Sequence, residues 1–81
     1  MGEEEVTVLR AGLVLERTGA VVLRFKPGTY ENSSIVLCVW ASSHHHPFVV
    51  WTYDEISGGL STGDYYDDLQ VALNRFNERT W

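Results

Sequence analysis

The chain lacks disulfide partners, long apolar runs and the length that large folds need. Cys38 is the only cysteine among 81 residues, so no intramolecular disulfide can form and a disulfide-stapled secreted scaffold is excluded. The apolar runs are too short to span a bilayer. A chain of this length supports one core, which excludes enzymes that need a barrel or a dinucleotide-binding fold.

Basic side chains are absent from a long stretch of the chain. Residues 27–74 contain no Lys or Arg and hold six of the 11 acidic residues, and the whole chain carries a formal net charge of −5. This acidic block repels phosphate backbones, so we do not expect direct nucleic-acid binding. A basic protein partner, in contrast, would be attracted to it.

The N-terminus carries acids where a signal peptide would carry positive charge. Glu3, Glu4 and Glu5 are consecutive. They repel one another and bury nothing, which predicts a flexible acidic tail over residues 1–5. Because neither a signal peptide nor a membrane segment is recognisable, we expect a cytoplasmic protein whose residues 6–81 form a single α+β domain.

Strand-like alternation followed by a helical stripe predicts the fold. Residues 35–41 are continuously apolar, which is typical of a central strand covered on both faces. Asp67 and Gln70 then have the spacing of a helix N-cap and capping box, and apolar residues recur at helical spacing as far as Phe76. We predict an α+β fold: an antiparallel β-meander of about five strands with one C-terminal helix packed on one face. The predicted strands cover residues 6–16, 20–26, 35–41, 48–53 and 59–65.

A single helix covers only one face of such a sheet. Val8, Val14, Ala20 and Val22 share the outer parity of the first two predicted strands. Their apolar side chains predict a poorly covered sheet face, and a homodimer formed through this face is one hypothesis that follows.

Aromatic residues supply candidates for both the core and the surface. Exposed Tyr and Trp among acids are typical of protein-binding surfaces, although Tyr65 and Tyr66 could instead seal the core at the start of the helix. The predicted core aromatics are Phe25, Trp40, Phe48, Trp51 and Phe76, and the predicted exposed ones are Tyr30, Tyr53, Tyr65, Tyr66 and Trp81.

The acidic block and the exposed aromatics together predict a partner-binding surface. Its acids could also serve only as solubilising charge. Nothing in the sequence places two of them in an apolar cleft, as a catalytic acid–base pair would require. We therefore predict a non-enzymatic protein with no cofactor. The partner-binding candidates are Tyr53, Asp54, Glu55, Asp64, Tyr65 and Asp68.

Histidine and cysteine provide the remaining chemical candidates. His44, His45 and His46 are adjacent and would point in different directions from an extended loop, which favours a solvated loop or a partner contact over a metal site. Cys38 beside a histidine could form a nucleophile–base pair. Its place within the apolar residues 35–41 favours a buried, inert thiol instead.

The segment that begins at Phe48 resembles small uncharacterised single-domain proteins of bacteria and their phages. Its sequence, over residues 48–79, is FVVWTYDEISGGLSTGDYYDDLQVALNRFNER. In that group a Val–aromatic strand and a Gly-containing turn precede a Gly-x-Tyr-Tyr/Phe-x-Asp-Leu segment, which leads into a short helix ending Phe-x-x-Arg. The resemblance implies an α+β architecture and a microbial or phage source, and it implies no known activity.

The leading hypothesis is a small non-enzymatic binding protein, such as a phage or mobile-element inhibitor, that acts through an acidic, aromatic-containing surface. One alternative is a protein that sequesters a nucleotide-type small molecule through Arg10, Arg24 and Lys26. Charges that discourage pairing of an edge strand explain these bases more simply. A second alternative is a homo-oligomeric structural or assembly protein.

Overall fold

The computed structural model describes residues 9–41 and 45–81. Within these ranges, four antiparallel strands form one sheet in which each strand pairs with the next along the chain, and one helix follows. The α+β meander with a C-terminal helix is therefore confirmed, with four strands in place of about five. No helix in these ranges is long and apolar enough to cross a membrane. The elements are β1 (Val21–Pro27), β2 (Ser33–Val39), β3 (Phe48–Asp54), β4 (Leu60–Tyr66) and α1 (Leu69–Glu78).

The first predicted strand, over residues 6–16, is not found in its described part, residues 9–16. Its residues 6–8, like the predicted tail, lie outside the described ranges. Gly12 turns the chain with φ +93°, a conformation that favours a residue without Cβ. Beyond this turn the chain runs beside β1 over a short distance: Val14 forms an isolated bridge with Val21, and the main-chain N–H of Val22 donates to the carbonyl of Leu13 at 2.8 Å. Leu13 and Leu15 therefore belong to a segment that covers the outer face of the sheet, and not to a fifth strand.

The two central strands, β2 and β3, are buried on both faces, because successive side chains point to opposite sides of a sheet. One set packs under α1, and the other packs under the covering segment formed by residues 9–20. The predicted two-sided burial of the central strand is thus confirmed. The helix-side core contains Ile35, Leu37, Val50, Ala72 and Phe76, and the outer core contains Leu15, Ala20, Val22, Val36, Cys38, Val49, Trp51 and Tyr53.

The outer face is not bare, and the expectation that it would be poorly covered is wrong. Ala20 and Val22 have no solvent exposure, while Val14 remains exposed. Leu9 and Leu13 also pack against the outer core. The chain supplies its own cover over Ala20 and Val22, so the homodimer hypothesis loses the bare face from which it was argued.

Two aromatic side chains lie where the sequence did not place them. Phe25 was predicted to be core and is 44% exposed, because the pairing of β1 with β2 shifts register between Val22 and Arg24. The shift breaks the simple alternation of β1 and pairs Phe25 with Val36, on the outer face of the sheet. Tyr53 was predicted to be exposed and is only 4% exposed, within the outer core.

Helix α1 begins one residue later than predicted. Asp68, and not Asp67, is the N-cap, and its carboxylate accepts hydrogen bonds from the main-chain N–H groups of Gln70 at 2.8 Å and Val71 at 3.3 Å. The Gln70 side chain donates to Asn74 at 3.1 Å, so it does not complete the predicted capping box.

The helix ends on a buried arginine. Arg79 is 1% exposed, and its Nη1 donates to the carbonyl of Val50 at 3.0 Å and to Asp64 Oδ2 at 3.2 Å. Its Nη2 donates to Thr52 Oγ1 at 2.6 Å and its Nε to the main-chain oxygen of Trp81 at 2.8 Å. Burial lowers the pKa of Arg79, and the Asp64 charge opposes this effect. One side chain thereby joins the end of α1 to both β3 and β4.

Arg79→Gln should lower the free energy of unfolding by about 3 kcal/mol, because it leaves buried acceptors without their donor. The matched variant Arg75→Gln removes the same charge from the same carboxylate, since Arg75 Nε donates to Asp64 Oδ2 at 3.1 Å. Arg75 is part-exposed, so its loss should cost about 1 kcal/mol or less. Urea denaturation followed by Trp fluorescence measures both, and equal losses would contradict the role given to Arg79.

Candidate functional site

The structure divides the predicted partner-binding residues between two ends of the sheet. Asp54 and Glu55 lie at the β3–β4 turn, whereas Asp68 starts α1 at the opposite end of β3. The seven residues of β3 separate these ends by about 20 Å. Tyr53 is buried beneath the sheet surface. The six residues therefore do not form one patch.

Two of the predicted acids contact helix α1 and the arginines at its end. Asp64 accepts hydrogen bonds from Arg75 and Arg79, and Asp68 caps α1. The hydrogen bond to Asp64 raises the pKa of Arg75. Every Asp and Glu in the described ranges is exposed or half-buried, so none of them occupies the desolvated cleft that an acid–base pair requires.

The remaining predicted acids, Asp54 and Glu55, belong to a surface that we call the turn end, which consists of the β1–β2 turn (residues 28–32) and the β3–β4 turn (residues 54–59). The main-chain N–H of Glu55 donates to the carbonyl of Asn32 at 2.9 Å. Ser34 Oγ donates to the Glu55 carboxylate, and Arg17 Nη2 lies 3.5 Å from the carbonyl of Ser57. These contacts tie the two turns to each other and to the covering segment.

Asp54 shapes the β3–β4 turn and keeps its charge. Its Oδ1 accepts from the main-chain N–H groups of Ile56 at 2.9 Å and Ser57 at 3.4 Å. These hydrogen bonds favour the ionised carboxylate and lower the pKa of Asp54. Gly58 closes the turn with φ +76°, and its N–H donates to the carbonyl of Asp54 at 2.8 Å. The turn is therefore held in one conformation with an ionised carboxylate in it.

The turn end also presents the two most exposed large apolar side chains of the described residues. Ile56 is 77% exposed and Tyr30 is 68% exposed. Three exposed carboxylates lie in the same two turns: Glu31 is in the β1–β2 turn, and Asp54 and Glu55 are in the β3–β4 turn. Apolar side chains bordered by charges of one sign are what a protein-binding surface with a charged rim requires.

Three aromatic rings pack together on the outer face of the sheet, and we call them the aromatic cluster. The ring centroids of Trp40 and Trp51 are 5.5 Å apart, those of Trp40 and Tyr65 are 6.4 Å apart, and those of Trp51 and Tyr65 are 6.2 Å apart. Trp51 Nε1 donates to the Tyr65 hydroxyl at 3.3 Å, and Trp40 Nε1 donates to the carbonyl of Thr18 at 3.0 Å. Both indole N–H groups are thereby satisfied, which fixes the orientation of the rings.

Gly63 makes room for the aromatic cluster. It lies opposite Trp51, where the register of β3 and β4 shifts between Val50 and Thr52. A Cβ at position 63 would stand 2.8 Å from Trp51 Nε1 and 2.8 Å from the Tyr65 hydroxyl. The absent side chain therefore allows Trp51 and Tyr65 to meet.

The histidine and cysteine candidates lie in different surroundings. His45 and His46 are exposed with ring centroids 6.5 Å apart, while His44 lies outside the described ranges. Among the residues that the structure describes, no group of three or more His, Cys, Asp or Glu side chains could hold a metal. Cys38 is fully buried, and burial raises the pKa of its thiol to about 12. At neutral pH it is therefore a protonated core residue, as the sequence indicated.

The basic residues of the nucleotide alternative are partly used within the fold. Lys26 Nζ donates to the carbonyl of Asn77 at 3.2 Å and lies 5.0 Å from the centroid of the Phe76 ring. Arg24 and Arg10 are exposed. The ammonium of Lys26 thus serves the end of α1, which leaves the two arginines for that hypothesis.

Sequence reasoning missed Ile56 and Glu31, and it did not group Tyr30 with them. An available signal was an isolated apolar residue inside the polar turn of residues 54–59, DEISGG. Such a residue has no strand or helix face on which to be buried. Nothing in the linear order indicated that the β1–β2 turn would lie beside it.

Comparison with protein-family models, with curated proteins and with solved structures finds no match to this chain. The resemblance of residues 48–79 to small bacterial and phage proteins stays a prediction.

Alkaline pH should destabilise the protein through Cys38. The thiol pKa rises from 9.0 to about 12 on folding, so the unfolded chain loses this proton at a lower pH than the native protein does. Stability that is present below pH 9 should decline by about 1.4 kcal/mol per pH unit as the pH rises towards 12. The difference in unfolding free energy between the wild type and Cys38→Ala should shrink over this interval; a constant difference would show that the thiol does not contribute.

Gly63→Ala should lower the free energy of unfolding by about 1–3 kcal/mol, because the added methyl group overpacks Trp51 and Tyr65. Near-ultraviolet circular dichroism should change with it, since both rings must move. Gly59→Ala is the matched control: its Cβ would meet only the Ser57 hydroxyl, at 3.1 Å. A Gly63→Ala variant as stable as Gly59→Ala would argue against the tight packing described here.

Proposed function

We propose that this chain is a small non-enzymatic protein-binding module and that the turn end is its docking surface. The observation that carries the proposal is the combination of Ile56 and Tyr30, strongly exposed, with the carboxylates of Glu31, Asp54 and Glu55 on two turns tied to one another. A preformed surface loses little conformational entropy on binding, which favours recognition without rearrangement.

The charge of the surface defines the chemistry of the partner. Both turns lie within residues 27–74, which contain no Lys or Arg. Among the described contacts, Arg17 is the one basic residue that reaches the β3–β4 turn. The partner is therefore a protein with a basic surface that contains an apolar recess for Ile56 or Tyr30. Inhibition of a host protein by a phage or mobile-element product, inside the cytoplasm, fits such a module and belongs to the proposal.

The test is affinity capture from the native host with matched variants. Tyr30→Ala combined with Ile56→Ala should lower the recovery of the specific partner at least tenfold, because exposed apolar side chains at the centre of an interface contribute about 2 kcal/mol or more each. The control combines Leu69→Ala with Val71→Ala, which are exposed apolar residues on α1. The control should capture the partner as the wild type does.

Salt provides the second measurement. Affinity for the captured partner should fall steeply when ionic strength rises from about 0.05 to 0.5 M, since exposed charges are screened over shorter distances. Glu31→Gln should reduce this dependence, whereas Asp67→Asn, at the opposite end of the sheet, should not. Affinity that is unchanged by salt, or lost equally in the α1 control, would contradict docking through the turn end.

A further inference from the structure

The β3–β4 turn (residues 54–59) satisfies all six of its main-chain N–H donors within the protein. Water could serve such donors in a surface turn, so acceptors from the chain itself are not obligatory. Asp54 Oδ1 accepts from the N–H groups of Ile56 at 2.9 Å and Ser57 at 3.4 Å. Ser57 Oγ accepts from the N–H of Gly59 at 3.1 Å. The main chain is therefore held along the whole turn. The other three donors bond to carbonyl oxygens: Asp54 to Gly59 at 2.8 Å, Glu55 to Asn32 at 2.9 Å and Gly58 to Asp54 at 2.8 Å.

The side chain of Ile56 projects from this turn into solvent, with 77% of its surface exposed. Its main-chain N–H donates to Asp54 Oδ1, so a hydrogen bond, and not packing of the side chain, sets the direction in which Ile56 points. Isoleucine also branches at Cβ, which restricts its χ1 angle. A side chain that is already oriented loses little conformational entropy when it enters a recess in a partner. Ile56 is therefore preorganised for docking.

The three carboxylates of the turn end differ in what they contact. Asp54 accepts two hydrogen bonds from its own turn, and Glu55 accepts one from Ser34 Oγ. Among the residues that the structure describes, the Glu31 carboxylate has neither a hydrogen bond nor an ion pair. Glu31 is thus the carboxylate available to a basic group of a partner, whereas Asp54 is engaged within the turn.

We propose that Asp54 is a positioning residue of the turn end: it contributes to docking by orienting Ile56, and not by contacting the partner. This inference rests on the proposed function, because it concerns the same surface. It also narrows the chemistry of the partner. The apolar recess for Ile56 then needs a basic group that faces Glu31 in the β1–β2 turn, and it needs none that faces Asp54.

The first measurement uses the full chain without a partner and follows the exchange of main-chain amide protons with water by NMR. Asp54→Ala removes the side-chain acceptor, whereas Asp54→Asn keeps an oxygen that can accept the same two hydrogen bonds. The Ile56 amide should exchange about fivefold faster in Asp54→Ala than in the wild type, and at the wild-type rate in Asp54→Asn. The Val36 amide, in the central strand β2, is the control for an intact sheet. Equal exchange of the Ile56 amide in both variants would overturn the proposal.

The second measurement is the affinity of the same variants for the protein that the wild-type chain captures from its native host. Asp54→Ala and Asp54→Asn remove the same charge, but only Asp54→Ala removes the acceptor. Affinity should fall about fivefold in Asp54→Ala and less than about twofold in Asp54→Asn. Glu31→Gln, in which a contacting charge is lost, should weaken binding and its dependence on salt together. Equal losses in the two Asp54 variants would show that Asp54 acts through its charge, which would overturn the proposal.

A double-mutant cycle shows whether Asp54 acts through Ile56. If it does, Asp54→Ala should cause no further loss of affinity in a chain that already carries Ile56→Ala. An undiminished loss in that background would overturn the positioning role and leave the turn end as the docking surface. If the wild-type chain captures no specific protein, the proposed function fails and this inference fails with it. The two failures are therefore distinguishable.

Discussion

The buried guanidinium of Arg79 is the interaction on which the architecture depends. Arginine cannot lose its proton in a protein, so a buried guanidinium must be surrounded by acceptors. The fold supplies four: the carbonyl of Val50 and the hydroxyl of Thr52 on β3, the carboxylate of Asp64 on β4 and the main-chain oxygen of Trp81. The Trp81 ring centroid lies 4.8 Å from the guanidinium carbon and covers it. The end of α1 is thus fixed on the sheet, and Phe76 is held in the helix-side core.

One irregularity in the sheet serves both faces. At the register shift of β3 and β4, Thr62 adopts φ +51° and Gly63 lies opposite Trp51. On the helix side, the carbonyl of Val50 at the same point accepts from Arg79. On the outer side, the missing side chain of Gly63 lets Trp51 pack against Tyr65. A bulge in an edge strand also hinders pairing with the edge of another sheet, so β4 is less prone to edge-to-edge aggregation.

The acidic residues of the acidic block, residues 27–74, have different structural roles. Asp64 neutralises buried positive charge and Asp68 caps α1, so neither is free for a partner. Asp54 and Glu55 shape a turn and still face solvent, beside the exposed side chain of Ile56. The surface that we propose for recognition lies where structural hydrogen bonds hold carboxylates in place without neutralising them. The aromatic cluster lies apart from it, on the outer face of the sheet.

The sequence by itself determined the meander, the central strand buried on both faces, the C-terminal helix and the burial of Cys38, because these follow from the local periodicity of apolar residues. It misplaced Phe25, since a register shift depends on the partner strand, and Tyr53, since burial at a strand end depends on what covers it. It could not group Tyr30 with Ile56, which are brought together only by the pairing of β2 with β3. It could not foresee the acceptors of Arg79 either. Long-range pairing of strands decided these features, because only closure of the sheet sets distant residues side by side.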